Sequence, residues 1–96
     1  MKGVYVKWYD HGRDMLLAAC DEELLGKELD GFTVSKRFYG GELVSEEEFG
    51  RRLGECTIAN LAGQRVINIA KRKGVVREEG IRLFSGVPHA QAVRML

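Results

Sequence analysis

The tract SKRFYGGE at residues 35–42 is the densest group of side chains with chemical potential in this 96-residue chain. It combines two cations, two aromatic rings and two glycines within eight residues. A cation can meet a phosphate while a ring stacks on an unpaired base, so the tract is typical of a contact to RNA. Its candidate binding residues are Lys36, Arg37, Tyr39, Gly40, Gly41 and Glu42.

The same tract also fits a purely structural role. Phe38 would then lie in the core, both cations would be solvated, and the glycine pair would supply a turn with positive φ. A second basic cluster, Lys71-Arg72-Lys73, can simply complement the carboxyl end of a helix. Because 15 basic and 14 acidic residues leave a formal net charge of +1, any nucleic-acid surface has to be a local patch.

His89, in the closing segment GVPHAQAVRML, is another candidate. An imidazole on a strand face is typically a hydrogen-bonded, half-buried structural group, and the alternative is a general acid or base. Gln91 shares its predicted face, so the two could line a cleft near the turn at residues 86–88. In that enzymatic hypothesis Gln91, Asn60 or Glu42 would orient the ligand for catalysis by His89.

Other catalytic and metal-binding signatures are missing from the sequence. It contains no phosphate-binding loop, no GxGxxG after a strand, no GxSxG and no HExxH. No cluster of three metal ligands stands out, and Cys20 and Cys56 lie far apart in sequence. The sequence therefore predicts no metal and no cofactor, and it predicts that both cysteines are buried free thiols.

The elements that position these residues begin with a predicted β-hairpin. Residues 3–9 alternate as a strand, and the continuous apolar run at 15–20 predicts a strand covered on both faces. Asp21 then predicts an amino-terminal cap for a short helix over residues 22–25. After a turn at Asp30-Gly31, residues 32–35 alternate as a further strand.

Two longer helices are predicted in the middle of the chain. Ser45 and Glu48 form a capping-box pattern that starts a helix over residues 46–53. Thr57 predicts the cap of a longer helix over residues 58–73, whose apolar residues recur at the spacing of one buried face. The opposite face of that helix would carry a polar stripe of candidate binding residues, namely Asn60 and Gln64, continued by Asn68 and Lys71.

The carboxyl-terminal part predicts a strand at residues 81–84 and an ambiguous element from residue 87 onward. The alternation of the tail favours a strand, and Pro88 in a first turn would favour a helix. Together the elements predict one α+β domain over residues 1–96. Its sheet is mostly antiparallel and twisted, with one long helix packed on a face and short helices at the margin.

The pattern of apolar runs bears on location. None approaches the roughly 20 residues that cross a bilayer, and the first residues lack the order of a signal peptide. The sequence therefore predicts a cytoplasmic protein with no membrane contact.

Five segments of the chain resemble the Domain of Unknown Function 424 family of small archaeal proteins. They are VYVK near the start, AACDEELLGK at 18–27, FYGGELV at 38–44, TIANLAG at 57–63 and GVPHAQAVR at 86–94. The resemblance implies a single cytosolic α/β domain with no established substrate or cofactor. Cys56 stands where the family usually has a small residue such as alanine, which argues against a shared thiol chemistry.

The resemblance also implies a link to translation and so ranks binding above catalysis. The first hypothesis is a non-enzymatic module that contacts RNA or a protein of the translation machinery. The alternatives are a small enzyme that uses His89, and an interaction subunit or homo-oligomer. Tyr39, Gly40, Gly41, Asn60, His89 and Gln91 fall within the shared segments.

Overall fold

A computed structural model of the chain describes residues 2–94. Its strands are β1 Val4–His11, β2 Asp14–Asp21, β3 Glu28–Leu29, β4 Phe32–Thr33, β5 Glu42–Val44, β6 Ile58–Ala62, β7 Arg82–Phe84 and β8 Val87–Val93. Its helices are α1 Lys36–Tyr39, α2 Glu46–Leu53 and α3 Gln64–Arg72, and short 3₁₀ turns lie at Glu22–Leu24 and Glu78–Gly80. Within this part of the chain no helix is long and apolar enough to cross a membrane.

The main sheet has six strands in the order β5-β1-β2-β6-β8-β7. Its two central strands, β2 and β6, run parallel, and every other neighbouring pair runs antiparallel. The short strands β3 and β4 form a separate hairpin. This architecture confirms the predicted α+β fold with a mostly antiparallel sheet.

The predicted amino-terminal hairpin is confirmed. β1 and β2 pair along their whole length, from Val4 opposite Asp21 to His11 opposite Asp14. Consecutive residues of β2 from Leu17 to Asp21 are buried, so this strand is covered on both faces as its apolar run predicts.

The two faces of the sheet carry different layers. α2 and α3 pack on one face, where Leu17, Ala19, Ala59 and Leu61 point into the larger core. The other face is covered by residues 22–39, which we call the cover segment, over a second core that includes Ala18, Cys20 and Ala62. The cover is incomplete, and the open part of this second face carries the candidate site.

The predicted long helix over residues 58–73 is wrong, and with it the predicted cap at Thr57. Residues Ile58–Ala62 form strand β6, inserted between β2 and β8, and the helix α3 begins only at Gln64. The pattern IANLA fits the periodicity of a helix and also that of a strand. In the strand, Ala59 and Leu61 face the helices while Asn60 and Ala62 face the cover segment. Thr57 instead accepts a hydrogen bond from Met15 N at 2.9 Å, between β2 and β6.

The start of α3 is fixed by Asp21, from the far end of β2. Its carboxylate oxygens accept hydrogen bonds from Arg65 N and Val66 N, both at 3.0 Å, and so satisfy two free amides of the helix. Gly63, with φ of 118°, turns the chain between β6 and α3 directly against this carboxylate. The predicted cap of residues 22–25 by Asp21 is therefore wrong, because its side chain caps a helix distant in sequence.

Burial raises the pKa of the Asp21 carboxyl, against the opposing effect of the two amide hydrogen bonds. The guanidinium of Arg65 lies 3.8 Å from the carboxylate and also donates to Glu23 Oε2 at 2.6 Å and to Gly3 O at 2.7 Å. These contacts join the residue before β1, the cover segment and α3.

The tract SKRFYGGE folds as a short helix followed by a close passage over β1. Ser35 Oγ caps α1 by accepting from Phe38 N at 3.1 Å. The predicted positive φ of the glycine pair is wrong, since Gly40 has φ of −82°. Space is the reason for both glycines: a Cβ at Gly40 would overlap Lys36 O, and one at Gly41 would overlap Val6 O.

Two other local predictions are confirmed. α2 spans Glu46–Leu53, and Ser45 Oγ accepts from Glu48 N at 3.0 Å. The carboxylate of Glu48 turns outward to Arg51 and Arg52 instead of closing the box. The tail is the strand β8, which settles the choice between strand and helix for residues 87–93; residues 95 and 96 lie outside the described part.

Substitution of Gly63 tests this junction. We expect Gly63→Ala to lower the free energy of unfolding by at least about 3 kcal/mol, because the new Cβ combines positive-φ strain with overlap of the Asp21 carboxyl group. Urea denaturation measures the effect. The matched control is Gly31→Ala, which has positive φ but open space around its Cβ, and should cost only about 1–2 kcal/mol. Equal losses in the two variants would show that the Asp21 contact has no part in the effect.

Candidate functional site

Three predicted site residues from distant parts of the chain meet on the open part of the second face. The Oδ1 atom of Asn60 accepts a hydrogen bond from the hydroxyl of Tyr39, and it lies 3.0 Å from Nε2 of His89. Tyr39 is buried, whereas Asn60 and His89 are half-buried. We call this group the Tyr39–Asn60–His89 cluster.

The hydrogen bonds fix the chemical state of the cluster. Burial raises the pKa of the Tyr39 phenol, so its hydroxyl keeps its proton and donates it. Because Oδ1 of Asn60 can only accept, Nε2 of His89 carries a hydrogen, and Nδ1 keeps a lone pair in the neutral ring. Asn60 Nδ2 is left with two hydrogens for which residues 2–94 provide no acceptor.

The ring of His89 is held among aromatic side chains. The centroid of Phe32, from β4 in the cover segment, lies 4.7 Å from that of His89, and the centroid of Phe84 in β7 lies at 5.9 Å. Burial and, to a lesser extent, the positive charge of Arg82 lower the pKa of His89. The imidazole is therefore held neutral and in one orientation.

Strand register explains why these residues meet. Asn60 lies opposite Gln91, and Ala62 lies opposite His89, so the polar side chains of β6 and β8 share one face. Tyr39 comes from above the sheet, where the capped helix α1 and the tight passage at Gly40 and Gly41 hold it over β6. Gln91 is exposed at the margin of the cluster.

The cationic residues Lys36 and Arg37 lie with exposed side chains on α1, the helix that also carries Tyr39. Below them, Tyr9 of β1 stacks on Phe38 with ring centroids 5.1 Å apart and donates its hydroxyl hydrogen to Phe38 O at 2.7 Å. Lys7 Nζ donates to Arg37 O at 2.8 Å. The open face therefore combines cations, partly exposed rings and amides.

A shallow cavity of about 330 Å³ opens at the β7–β8 end of the site. It is lined by Gly80, Arg82, Phe84, His89, Ala90 and Gln91. Arg82 pairs with His89 across β7 and β8, so its exposed side chain lies at the same end of the site as the cavity.

Two predicted site residues are not part of this group. Gln64 lies on α3, across the sheet, and donates to Asn68 Oδ1 at 2.9 Å, so only part of the predicted polar stripe exists. Glu42 lies on the edge strand β5 and accepts from Arg52 of α2 at 2.9 Å. The second basic cluster, Lys71-Arg72-Lys73, also lies at the α3 side of the molecule.

Sequence reasoning missed the contributions of Arg82, Phe84 and Tyr9. Alternation places Tyr9 on one side of β1, and Arg82 and Phe84 on one side of β7, but it does not say which strands are neighbours. Only the pairing of Arg82 with His89 brings the arginine to the site.

The cysteines and acidic residues offer no reactive centre near His89. Both thiols are free and buried, and burial raises the pKa of Cys20 to about 12, which leaves it protonated. Within residues 2–94, no three His, Cys, Asp or Glu side chains are placed to hold a metal ion together.

Comparison with known proteins identifies a matching family and a similar solved structure. The model of the family described as "Protein of unknown function (DUF424)" matches residues 9–95. The fold is similar to a crystal structure of an uncharacterized conserved protein from Methanopyrus kandleri, with a TM-score of 0.80 and 27% sequence identity. That match covers 97% of this chain and 94% of the other. No curated protein matches the sequence.

The lowered pKa of His89 predicts a pH dependence of stability. Above the ordinary value of 6.5, His89 is neutral whether folded or unfolded, and its contribution is fully present. As the pH falls below 6.5 the unfolded chain takes up a proton first, so the free energy of unfolding should fall. Urea denaturation at about pH 7.5 and about pH 5.5 measures this.

Two histidine variants test whether this pH dependence of stability comes from His89. His89→Gln, which stays neutral, should lose part of the fall, while His11→Gln, at the exposed turn, should keep it. An identical pH dependence in wild type and His89→Gln would contradict the assignment.

Removal of one hydroxyl tests the hydrogen bonds of the cluster. We expect Tyr39→Phe to lower the free energy of unfolding by about 1 kcal/mol, since a buried donor to Asn60 is lost. Tyr9→Phe is the control on the same face, and its cost should be smaller because water can reach Phe38 O. Thermal or urea unfolding gives both values, and equal costs would contradict a special role for the Tyr39 hydroxyl.

Proposed function

This chain belongs to the DUF424 family of proteins of unknown function, and from its own structure we propose that it is a non-enzymatic module that binds single-stranded RNA. The ligand would lie on the open part of the second face, across the Tyr39–Asn60–His89 cluster. The observation that carries the proposal is that the exposed cations Lys36 and Arg37 lie on the same short helix as Tyr39, whose hydroxyl donates to Asn60 in the cluster.

Hydrogen-bonding capacity supports contact with a base. The Oδ1 atom of Asn60 is occupied by Tyr39 and His89, so the side chain is oriented with Nδ2 as a donor. Gln91, opposite Asn60 in the neighbouring strand, adds an exposed amide that can both donate and accept. Fixed amides at the surface of a sheet can recognise the edge of an unpaired base.

Charge and aromatic surface support contact with the rest of the strand. Lys36 and Arg37 can neutralise backbone phosphates, and the stacked rings of Tyr9 and Phe38 offer partly exposed surface for base stacking. The net charge of +1 provides no general attraction, so the affinity should depend on this local group.

The arrangement does not favour the enzymatic alternative. Nε2 of His89 is committed to Asn60, and in residues 2–94 no thiol or carboxylate forms a hydrogen bond with the ring. A general acid or base at this position would have to act through Nδ1, which forms no hydrogen bond with a described residue that would raise its basicity. The amide and imidazole therefore suit recognition better than group transfer.

A second candidate function is contact with a protein of the translation machinery or with a second copy of this chain. Two large apolar side chains near the carboxyl end are prominently exposed, Leu83 at 67% and Val93 at 73%. Leu83 and Val93 lie on opposite faces of the sheet, and each offers a separate apolar contact to a protein partner. Analytical ultracentrifugation tests the homo-oligomer directly, and a monomer mass at high protein concentration would exclude it.

If the protein binds RNA, it should retard an unstructured oligouridylate in native gels and raise the fluorescence anisotropy of a labelled one. Both effects should weaken as the salt concentration rises. Lys36→Ala/Arg37→Ala removes two exposed cations, and should reduce the slope of log affinity against log salt by about 1.4. Both side chains are exposed, so the variant should keep the wild-type fold.

The matched control removes two cations from the opposite side of the molecule. Arg72→Ala/Lys73→Ala carries the same change in net charge, and should leave both affinity and slope unchanged. Absence of retardation at low salt would refute RNA binding. If both double variants lost the same RNA affinity, the binding would be unspecific charge attraction.

A further inference from the structure

The carboxyl-terminal edge of the sheet has a step. β7 pairs with β8 only from Phe84 opposite Val87 to Arg82 opposite His89. β8 continues to Val93 and keeps its pairing with β6 on the other side. Beyond His89, the outer edge of β8 is therefore bare within residues 2–94.

Hydrogen-bond parity shows which groups of β8 face the bare edge. Gly63 N donates to Pro88 O at 2.9 Å and Arg94 N donates to Thr57 O at 2.7 Å, so the even-numbered residues bond toward β6. The backbone groups of Gln91 consequently point outward. No described backbone or side-chain group accepts the hydrogen of Gln91 N.

The 330 Å³ cavity occupies this step. Arg82 lies at one end, exposed, and forms no ion pair in the described part of the chain. Phe84 supplies an apolar wall, and His89 and Gln91 lie beside it. No carboxylate is among the lining residues, so nothing in the cavity neutralises the guanidinium.

We infer that the cavity at the step binds a phosphate group, with the Arg82 guanidinium, the outward N–H of Gln91 and the Gln91 side-chain amide as donors. A guanidinium and a free backbone N–H are the donors that proteins commonly use for tetrahedral oxyanions. The His89 ring and Phe84 line the same cavity and can contact an attached sugar or base.

The identity of the phosphate rests on the proposed function. In an RNA complex it is a backbone phosphodiester whose base reaches Asn60, on the neighbouring strand of the same face. The anion chemistry itself rests only on the geometry of the step, and a terminal phosphate of a nucleotide has the same chemistry.

Titration of the isotope-labelled protein with sulfate tests the site, because sulfate is tetrahedral and does not change its protonation near neutral pH. We expect chemical-shift changes at the Gln91 amide and the Arg82 Nε–H, with sodium chloride at equal ionic strength as the reference. Arg82→Gln should weaken sulfate binding roughly tenfold or more, as expected for a lost charged hydrogen-bond donor. Arg77→Gln, an exposed arginine outside the cavity lining, should leave it unchanged.

The backbone donor has its own pair of variants. Gln91→Ala removes the side-chain amide but keeps the backbone N–H and should weaken binding several-fold, whereas Gln91→Pro removes both donors and should weaken binding several-fold further. Proline is tolerated at an outward-facing edge position because no ladder hydrogen bond is lost there. Changes that spread equally over the protein, or match those from chloride, would overturn the site.

Uridine monophosphate and an oligouridylate separate the two sources of phosphate. If the backbone phosphate is the ligand, Arg82→Gln should weaken oligouridylate binding by about the factor seen with sulfate. A loss confined to the mononucleotide would overturn the backbone assignment in favour of a terminal phosphate. Sulfate binding without RNA retardation would refute the proposed function alone, and RNA retardation without any sulfate response would refute this site alone.

Discussion

The buried carboxylate of Asp21 at the amino end of α3 is the contact on which the structure most depends. Its oxygens accept hydrogen bonds from two backbone amides of the helix, both at 3.0 Å. Its position leaves room only for a glycine at residue 63. Strand β6 must therefore end at Ala62 and the chain must turn away from the sheet at once. Arg65, in the first turn of α3, also donates to Gly3 O and to Glu23. The start of this helix therefore contacts the sheet and the cover segment on its other face.

The candidate site follows from where this junction places β6. β6 is a central strand, and the half-buried polar residue Asn60 in its middle finds its hydrogen-bond partners in other segments. Asn60 finds them in Tyr39 of the cover segment and His89 of β8. The three residues thus satisfy the Oδ1 atom of a half-buried amide and leave its two Nδ2 hydrogens without an acceptor among residues 2–94, so the site has both a structural and a chemical aspect.

Local patterns predicted what depends on local physics. The β1–β2 hairpin, the helix α2 with its Ser45 cap and the strand character of residues 87–93 all follow from alternation, turn residues and capping. The helix over 58–73 failed because IANLA fits both a helical stripe and a strand buried on two faces. The deciding partner, Asp21, lies more than forty positions earlier in the chain.

The site shows the same division. Residue type and spacing point to Tyr39, Asn60, His89 and Gln91, and the family likeness adds to that prediction, yet nothing local places these residues in contact. Asn60 was assigned to the wrong element, which wrongly joined it to Gln64 on the far side of the sheet. The sequence does not point to Arg82, because the position of this residue at the site depends entirely on strand register.

The parallel pairing of β2 with β6 also has a kinetic consequence. Met15 and Thr57, at the start of this pairing, are 42 residues apart, and β8 can join the sheet only beside β6. The local hairpin can form early, whereas closing so long a loop is slow. During synthesis the amino-terminal hairpin must wait for the carboxyl-terminal strands, and Asn60 gains both Tyr39 and His89 as partners only when β6 and β8 are in place.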